Sequence, residues 1–419
     1  MNHRVPFAAP ARPPENLALG IGLAGLAVAA AGAFLDGLQA AAAGWLVAEV
    51  FWVGVVVGML FLIMLGYVFD AGWSIVLRRQ LEHGVAAFKW LAMLFVPLLI
   101  LAWMKPGLLW RWMDPNLDLT ALGGHCTVGE DVLYARKSGF LGLGFFTVRA
   151  VVYFLVWAGL AAVFRRNSFS QDGDGDAKWT LSSRKWAAAG LVLTALTATF
   201  AAIDWAKSLE YHWFSTMYGV WYFSNGMRSA LSVLALIGVV GLARGPFPGI
   251  VNRTHLYDVG KLMLTFTIFW AYIVFSQYFL IWNANVPEET FWYNLREITH
   301  TGEPNQWKYV GMFILFGYFL VPFLYLLSYK AKVTPRLLWP IAVWILAASL
   351  VDVCYNILPF RRDGAGDPLP FLGLQLVWVL AATVGVGGIC TWAYLRSFPT
   401  TKLIPIRDPR ILESLQHRE

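Results

Sequence analysis

The chain has 419 residues, 58% of them hydrophobic, 16% aromatic and 14% charged. Soluble globular chains carry about 45–50% apolar and about 25% charged residues, so an ordinary soluble enzyme is excluded, as are collagen-like and disordered classes, because the 38 Gly and 20 Pro follow no period. The net charge of +7 lies in short loops between apolar runs, which points to orientation in a bilayer and not to nucleic acid.

In chain order, a polar, Pro-rich segment (1–16) comes first, and the apolar run after it lacks an A-x-A end, so no cleaved signal peptide is expected. A membrane-spanning helix needs about 20 apolar residues. Ten runs qualify, at roughly 17–35, 41–69, 87–103, 139–164, 185–204, 213–243, 259–282, 307–329, 336–356 and 371–396. They predict an all-α polytopic membrane protein, with a transmembrane domain over 17–396 between terminal tails 1–16 and 397–419. A transmembrane barrel would show short alternating segments instead. With ten alternating spans, 21 basic residues fall on one side and 9 on the other, while Arg149 and Arg228 lie inside spans near mid-depth. The bias predicts both termini in the cytoplasm and the loops 104–138 and 283–306 outside.

An internal repeat is visible at an offset of 172. His83-x5-Lys89 matches His255-x5-Lys261, and each follows a long span with a central glycine, Gly54 and Gly226. Spans 2–5 then map onto spans 6–9, predicting two four-helix bundles flanked by spans 1 and 10. Gly54-Val-Val-Val-Gly58 reads as a close-packing face.

Ionisable groups inside a membrane are costly and usually face a bundle interior or a water-filled cavity. Glu49 and Asp352 lie in the outer halves of spans 2 and 9. Asp204, Lys207, Glu210 and His212 crowd the outer junction of spans 5 and 6, and Asp70, His255, Asp258 and Lys261 lie at the inner boundary. An outer cluster, central cations and an inner cluster suit two half-channels meeting at a central charge. They suit ion-pair cement between helices equally. On span 7, Asp258, Lys261, Thr265, Tyr272, Ser276 and Asn283 form one polar stripe about 60° wide at about 100° per residue. Span 6 carries Ser215, Tyr218, Tyr222, Asn225, Ser229 and Ser232 in one sector, with Arg228 beside it. Such rows hold water chains or act as polar glue between helices.

No redox centre is expected in this chain. Seven histidines offer no facing pair at one depth, C-x-x-C-H is absent, and Cys126, Cys354 and Cys390 cannot build a four-cysteine site. Gly123-Gly124-His125-Cys126 reads as a surface loop. Asp172-Gly-Asp174-Gly-Asp176 lacks the glycine and glutamate of a calcium loop and reads as a flexible acidic loop.

Two stretches carry a family resemblance. Ser208-Leu-Glu-Tyr-His-Trp-Phe-Ser-Thr-Met-Tyr-Gly-Val220 resembles a run in the F subunit of bacterial alternative complex III. Asp258-Val-Gly-Lys-Leu, Phe269 to Trp282 and Pro287-Glu-Glu-Thr290 look like its seventh-helix segment. Gly72-Trp-Ser74, Arg78-Arg79 and the tail Arg407 to Leu415 fit too. Tyr211 departs from the pattern, which has proline there, and leaves the turn after Glu210 open. The resemblance implies the NrfD-like (polysulfide-reductase membrane-subunit) fold. It implies a complex in the bacterial inner membrane that oxidises menaquinol or ubiquinol and passes electrons through iron–sulfur and c-haem subunits to cytochrome c or a terminal oxidase. It also implies lipids and a homologous quinol-binding C subunit as partners, and for this chain a structural role with a proton path. The candidates for that path, read from the residues themselves, are Glu49, Asp70, Arg149, Asp204, Lys207, Glu210, His212, Tyr222, Arg228, Asp258, Lys261, Thr265, Tyr272, Ser276 and Asp352. A quinol-binding catalytic subunit, using Asp204, Glu210 and His212, is the alternative. A stand-alone transporter is a third reading.

Overall fold

The computed structural model describes residues 14–120, 126–244, 250–398 and 402–417. The N-terminal segment up to residue 13 and the run Gly123-Gly124-His125 lie outside the described residues. Among the described residues ten helices are long and apolar enough to cross a membrane: α1 (Glu15–Leu35), α2 (Leu38–Val68), α3 (Gly72–Met104), α4 (Leu143–Asp174), α5 (Lys178–Trp205), α6 (Tyr218–Leu242), α7 (Arg253–Ala284), α8 (Gln306–Leu327), α9 (Pro335–Phe360) and α10 (Leu374–Leu395). With no water to satisfy backbone groups in hydrocarbon, continuous helices are what such apolar sequences must form. The side holding the α2–α3, α4–α5 and α8–α9 turns is called here the basic face, the opposite side the far face.

α2 packs on α3 and α5, α3 on α4, and α4 on α5, closing one four-helix half; α6, α7, α8 and α9 close the other. α2 and α6 are the two halves' contact helices, and α1 and α10 pack against each other and onto α2. The glycines set these approaches. A Cβ on Gly226 would lie 2.6 Å from the Gly54 carbonyl oxygen, and one on Gly58 would lie 2.4 Å from that of Gly226. The predicted packing face is therefore used, between the two repeat-related helices. α1 and α10 meet in the same way, a Cβ on Gly388 falling 2.5 Å from Gly22 Cα.

Three local expectations change. The segment before the third span is not a loop: Ile75–Gly84 is a helix with every residue buried, joined to the span by a 3-10 turn. Arg79 and Glu82 pair within it at 2.9 Å, and Arg79 reaches Asp172 at 2.7 Å. That pairing explains the second change, since the 172–176 run is no flexible loop. α4 continues to Asp174 and is ended by Gly175 at φ +73°. Third, α8 carries a π-helical stretch, Ile314–Leu320, that brings Tyr318 into the interior.

Candidate functional site

At mid-depth, where the two halves meet, titratable and amide side chains face inward. Asp352 of α9 is buried, and its Oδ2 accepts from the Trp221 indole at 2.9 Å, the Asn225 amide at 2.8 Å and the Trp270 indole at 3.1 Å. Ser349, one turn earlier, donates to Asn225 Oδ1 at 2.5 Å and lies 2.7 Å from the Ser229 hydroxyl. Arg228, buried beside them, donates from one nitrogen to the Tyr318 carbonyl at 2.7 Å and lies 3.8 Å over the Tyr318 ring. Its Nε and Nη1 have no hydrogen-bond partner among the described residues. Across the contact, Glu49 of α2 is fully buried beside Tyr222 and Cys390, and neither carboxylate oxygen is hydrogen-bonded. Tyr222 donates to the Val50 carbonyl at 2.8 Å. From the far-face ends of their helices, Glu49, Arg228 and Asp352 lie roughly 12–17 Å deep at 1.5 Å per residue. The buried set thus pairs a well-satisfied carboxylate with a half-satisfied cation and an unsatisfied carboxyl. Both expected placements, Glu49 and Asp352 inside the bundle, hold.

The far-face residues separate. Asp204 accepts from Arg149 twice at 2.8 Å and from the Tyr153 hydroxyl at 2.7 Å. Arg149 is therefore not near mid-depth. It lies about 9 Å into α4, also donates to the Phe140 carbonyl at 2.9 Å, and lies over the Phe140 and Phe145 rings. Glu210 pairs instead with Arg362 at 2.8 Å and, more loosely, Arg111 at 3.8 Å. His212 meets Asp131 at 2.5 Å, and the Tyr211 hydroxyl donates to the same oxygen at 2.5 Å. Tyr211 thus fastens this turn to the 126–138 segment. Burial opposes ionisation of Asp131, but the Tyr211, His212 and Leu133 donors outweigh it and hold its carboxyl below the usual range. Among the described residues Lys207 has no acid paired with it; burial first, then the neighbouring Lys137, pulls its ammonium down to about 8. Asp204, Glu210 and His212 thus belong to three pairings, not to one acceptor cluster.

At the basic face Asp258 binds Lys261 and His417, each at 2.7 Å, and Asp70 pairs with Arg184 and Arg410. The span 7 stripe does not line the interior. Thr265 is exposed and donates to the Lys261 carbonyl at 3.0 Å, Tyr272 is 64% exposed, and Ser276 is half-buried. α7 turns Val259, Met263, Thr267, Trp270 and Ile273 inward instead. Sequence reasoning missed Ser349, Trp221 and Trp270 around Asp352, and Asp131, Arg111 and Arg362 at the far face. Their partners lie from 80 to 249 residues away in sequence, and no local spacing marks them.

Ten spanning helices around a polar core make this an all-α, multi-pass integral membrane protein. No protein-family model matches the chain, and no curated protein matches it.

Proposed function

We propose that this chain is a membrane subunit of a quinol-oxidising respiratory complex of the alternative complex III kind. It lies in the bacterial inner membrane with both termini in the cytoplasm. In this reading it holds no redox centre of its own. The c-haems and iron–sulfur clusters belong to other subunits, and the chain supplies scaffold and a proton path. The assignment to the complex rests on the Ser208–Val220 and Asp258–Trp282 motifs. The single observation that supports the proton path is the buried Glu49, Arg228 and Asp352 set, with Tyr222 between the halves and unfilled hydrogen-bonding capacity on Glu49 and Arg228. Glu49 can change protonation state and lacks a fixed partner, which suits a relay beside the fixed charge of Arg228, whereas packing needs only volume and satisfied bonds. Asp258 at the basic face and Asp204 at the far face would serve as its ends.

Purification in mild detergent tests the first part: co-isolation with c-type cytochrome and iron–sulfur subunits is expected, and isolation of the chain alone refutes it. For the second, neutral variants of Glu49, Asp204, Asp258 and Asp352 are compared in vesicles holding the whole complex. Quinol oxidation largely intact with fewer protons released per electron is expected. Unchanged stoichiometry in all four leaves a scaffold only.

A further inference from the structure

At the basic-face ends of α3, α4 and α10 there is a cleft of about 410 Å³, within the range of built ligand sites. Its apolar wall comes from Ala158, Ala161 and Ala162, three small residues on one side of α4, with Phe88 from α3. Spacing of three and four residues on a helix leaves one face without bulk, and this makes a slot beside the larger neighbours. Its rim is basic: Lys89, Arg165 and Arg396, with Ser397 between the last two. Lys89 and Arg396 are exposed, and each rests on an indole, 5.2 Å over Trp90 and 5.1 Å over Trp392. Those two indoles pack edge to face at 4.7 Å, so both cations are carried on one aromatic corner. Half-buried Arg165 reaches the Ser397 hydroxyl at 3.5 Å and lies 5.3 Å over Phe169.

Among the described residues none of these three cations forms an ion pair. Glu82, the acid whose field reaches Arg165, is already bonded to Arg78 at 3.2 Å and Arg79 at 2.9 Å. Three unmatched positive charges sit over an apolar slot at the end of three spanning helices. We propose that this cleft binds an anionic phospholipid: its phosphodiester lies against Lys89, Arg165 and Arg396, and an acyl chain fills the slot along Ala158, Ala161 and Ala162. Basic pockets between spanning helices suit such headgroups. A neutral quinone head would leave all three charges unmatched, and a free phosphate would leave the slot empty.

The test uses the full chain, purified in detergent, stripped of lipid and offered phosphatidylglycerol, phosphatidylcholine or inorganic phosphate. Retained lipid is counted by native mass spectrometry, and thermal stability is followed in parallel. Phosphatidylglycerol is expected to stay bound and raise the melting temperature, the other two not. Each cation removed is expected to weaken retention about five-fold, as basic residues near an anionic surface do. The variant Lys89→Gln/Arg165→Gln/Arg396→Gln should therefore lose the adduct. Lys185→Gln/Lys330→Gln/Arg336→Gln, which removes equal charge from exposed basic-face positions elsewhere, should keep it. A second variant, Ala158→Phe/Ala162→Phe, keeps every charge and fills the slot; it should lose the adduct too, and it decides the matter if the triple variant fails to fold. Equal loss in the control triple, equal retention of phosphatidylcholine, full protection by phosphate alone, or an adduct that survives the filled slot each overturns the proposal.

Discussion

Removing Glu49 should strand nothing, which is unusual for a buried charged residue. Its side chain is fully buried, both oxygens lack a hydrogen bond, and it takes part in no ion pair among the described residues. Deleting one member of a buried pair usually costs about 3–5 kcal/mol because the partner is left uncompensated. Here the unmet polar group is Glu49 itself, and a buried group without a partner costs about 1–3 kcal/mol. Glu49→Leu, close in size and apolar, is therefore expected to raise stability by about that amount. Glu49→Gln, still polar and unmet, should change it little. Asp352→Leu is the opposite case: it leaves the Trp221 and Trp270 indoles and the Asn225 amide without an acceptor, and should cost about 1–3 kcal/mol for each donor stranded. The assay is thermal unfolding of the three variants in one detergent, read by intrinsic fluorescence and by size-exclusion recovery. A Glu49→Leu protein less stable than the parent refutes the reasoning, for it would mean that the carboxyl holds a bound water or cation whose loss outweighs the gain.

Gly226→Ala should abolish recovery of folded protein, because the added Cβ would lie 2.6 Å from the Gly54 carbonyl, whereas Gly139→Ala, with open space around it, should be silent; equal recovery of both contradicts the α2–α6 contact. Lys207 gives a pH signature. Its folded value of about 8 lies below the ordinary 10.5, so the folded state holds that proton less tightly than the unfolded chain and stability rises as pH climbs between those values. Lys207→Met should flatten this slope in pH-dependent melting and stabilise the protein at pH 7; a steeper slope in the variant reverses the sign argued here. For orientation, Lys185→Cys should react with an impermeant maleimide only after cells are opened, and Thr301→Cys in intact cells. Both positions are exposed, and the opposite pattern inverts the topology.

The ten helices were legible because a bilayer demands long apolar runs, and nothing else in the sequence competes with that signal. Gly54 and Gly226 were legible as packing residues because they occupy a crossing where side chains do not fit. Depth was less secure. Arg149 moves to the far end because α4 starts at Leu143 rather than at 139, and near a helix end a shift of a few residues relocates a charge. The α7 stripe shows another limit: periodicity tells which residues share a face, not whether that face meets lipid, a partner or the interior. Pairings such as Glu210 with Arg362 and Asp131 with His212 join loops far apart in sequence, and only the folded chain declares them.

The segment 402–417 lies across the basic face. Asp408 binds Arg78 at 2.6 Å, and the Leu403 carbonyl accepts from Gln80 at 2.7 Å, both on the first half. His417 binds Asp258 at 2.7 Å, and its carbonyl accepts from Asn252 at 2.8 Å, both on the second. Between them the Ser414 hydroxyl donates to the Trp73 carbonyl at 2.8 Å. These residues leave the ribosome after the ten described spanning helices have been made. The latch between the halves therefore closes after them, and until it does the newly inserted bundle presents Arg78 and Asp258 without their tail partners. A bulky fusion placed directly after residue 417 is expected to strain the His417 contacts with Asp258 and Asn252 and so to lower recovery of folded protein.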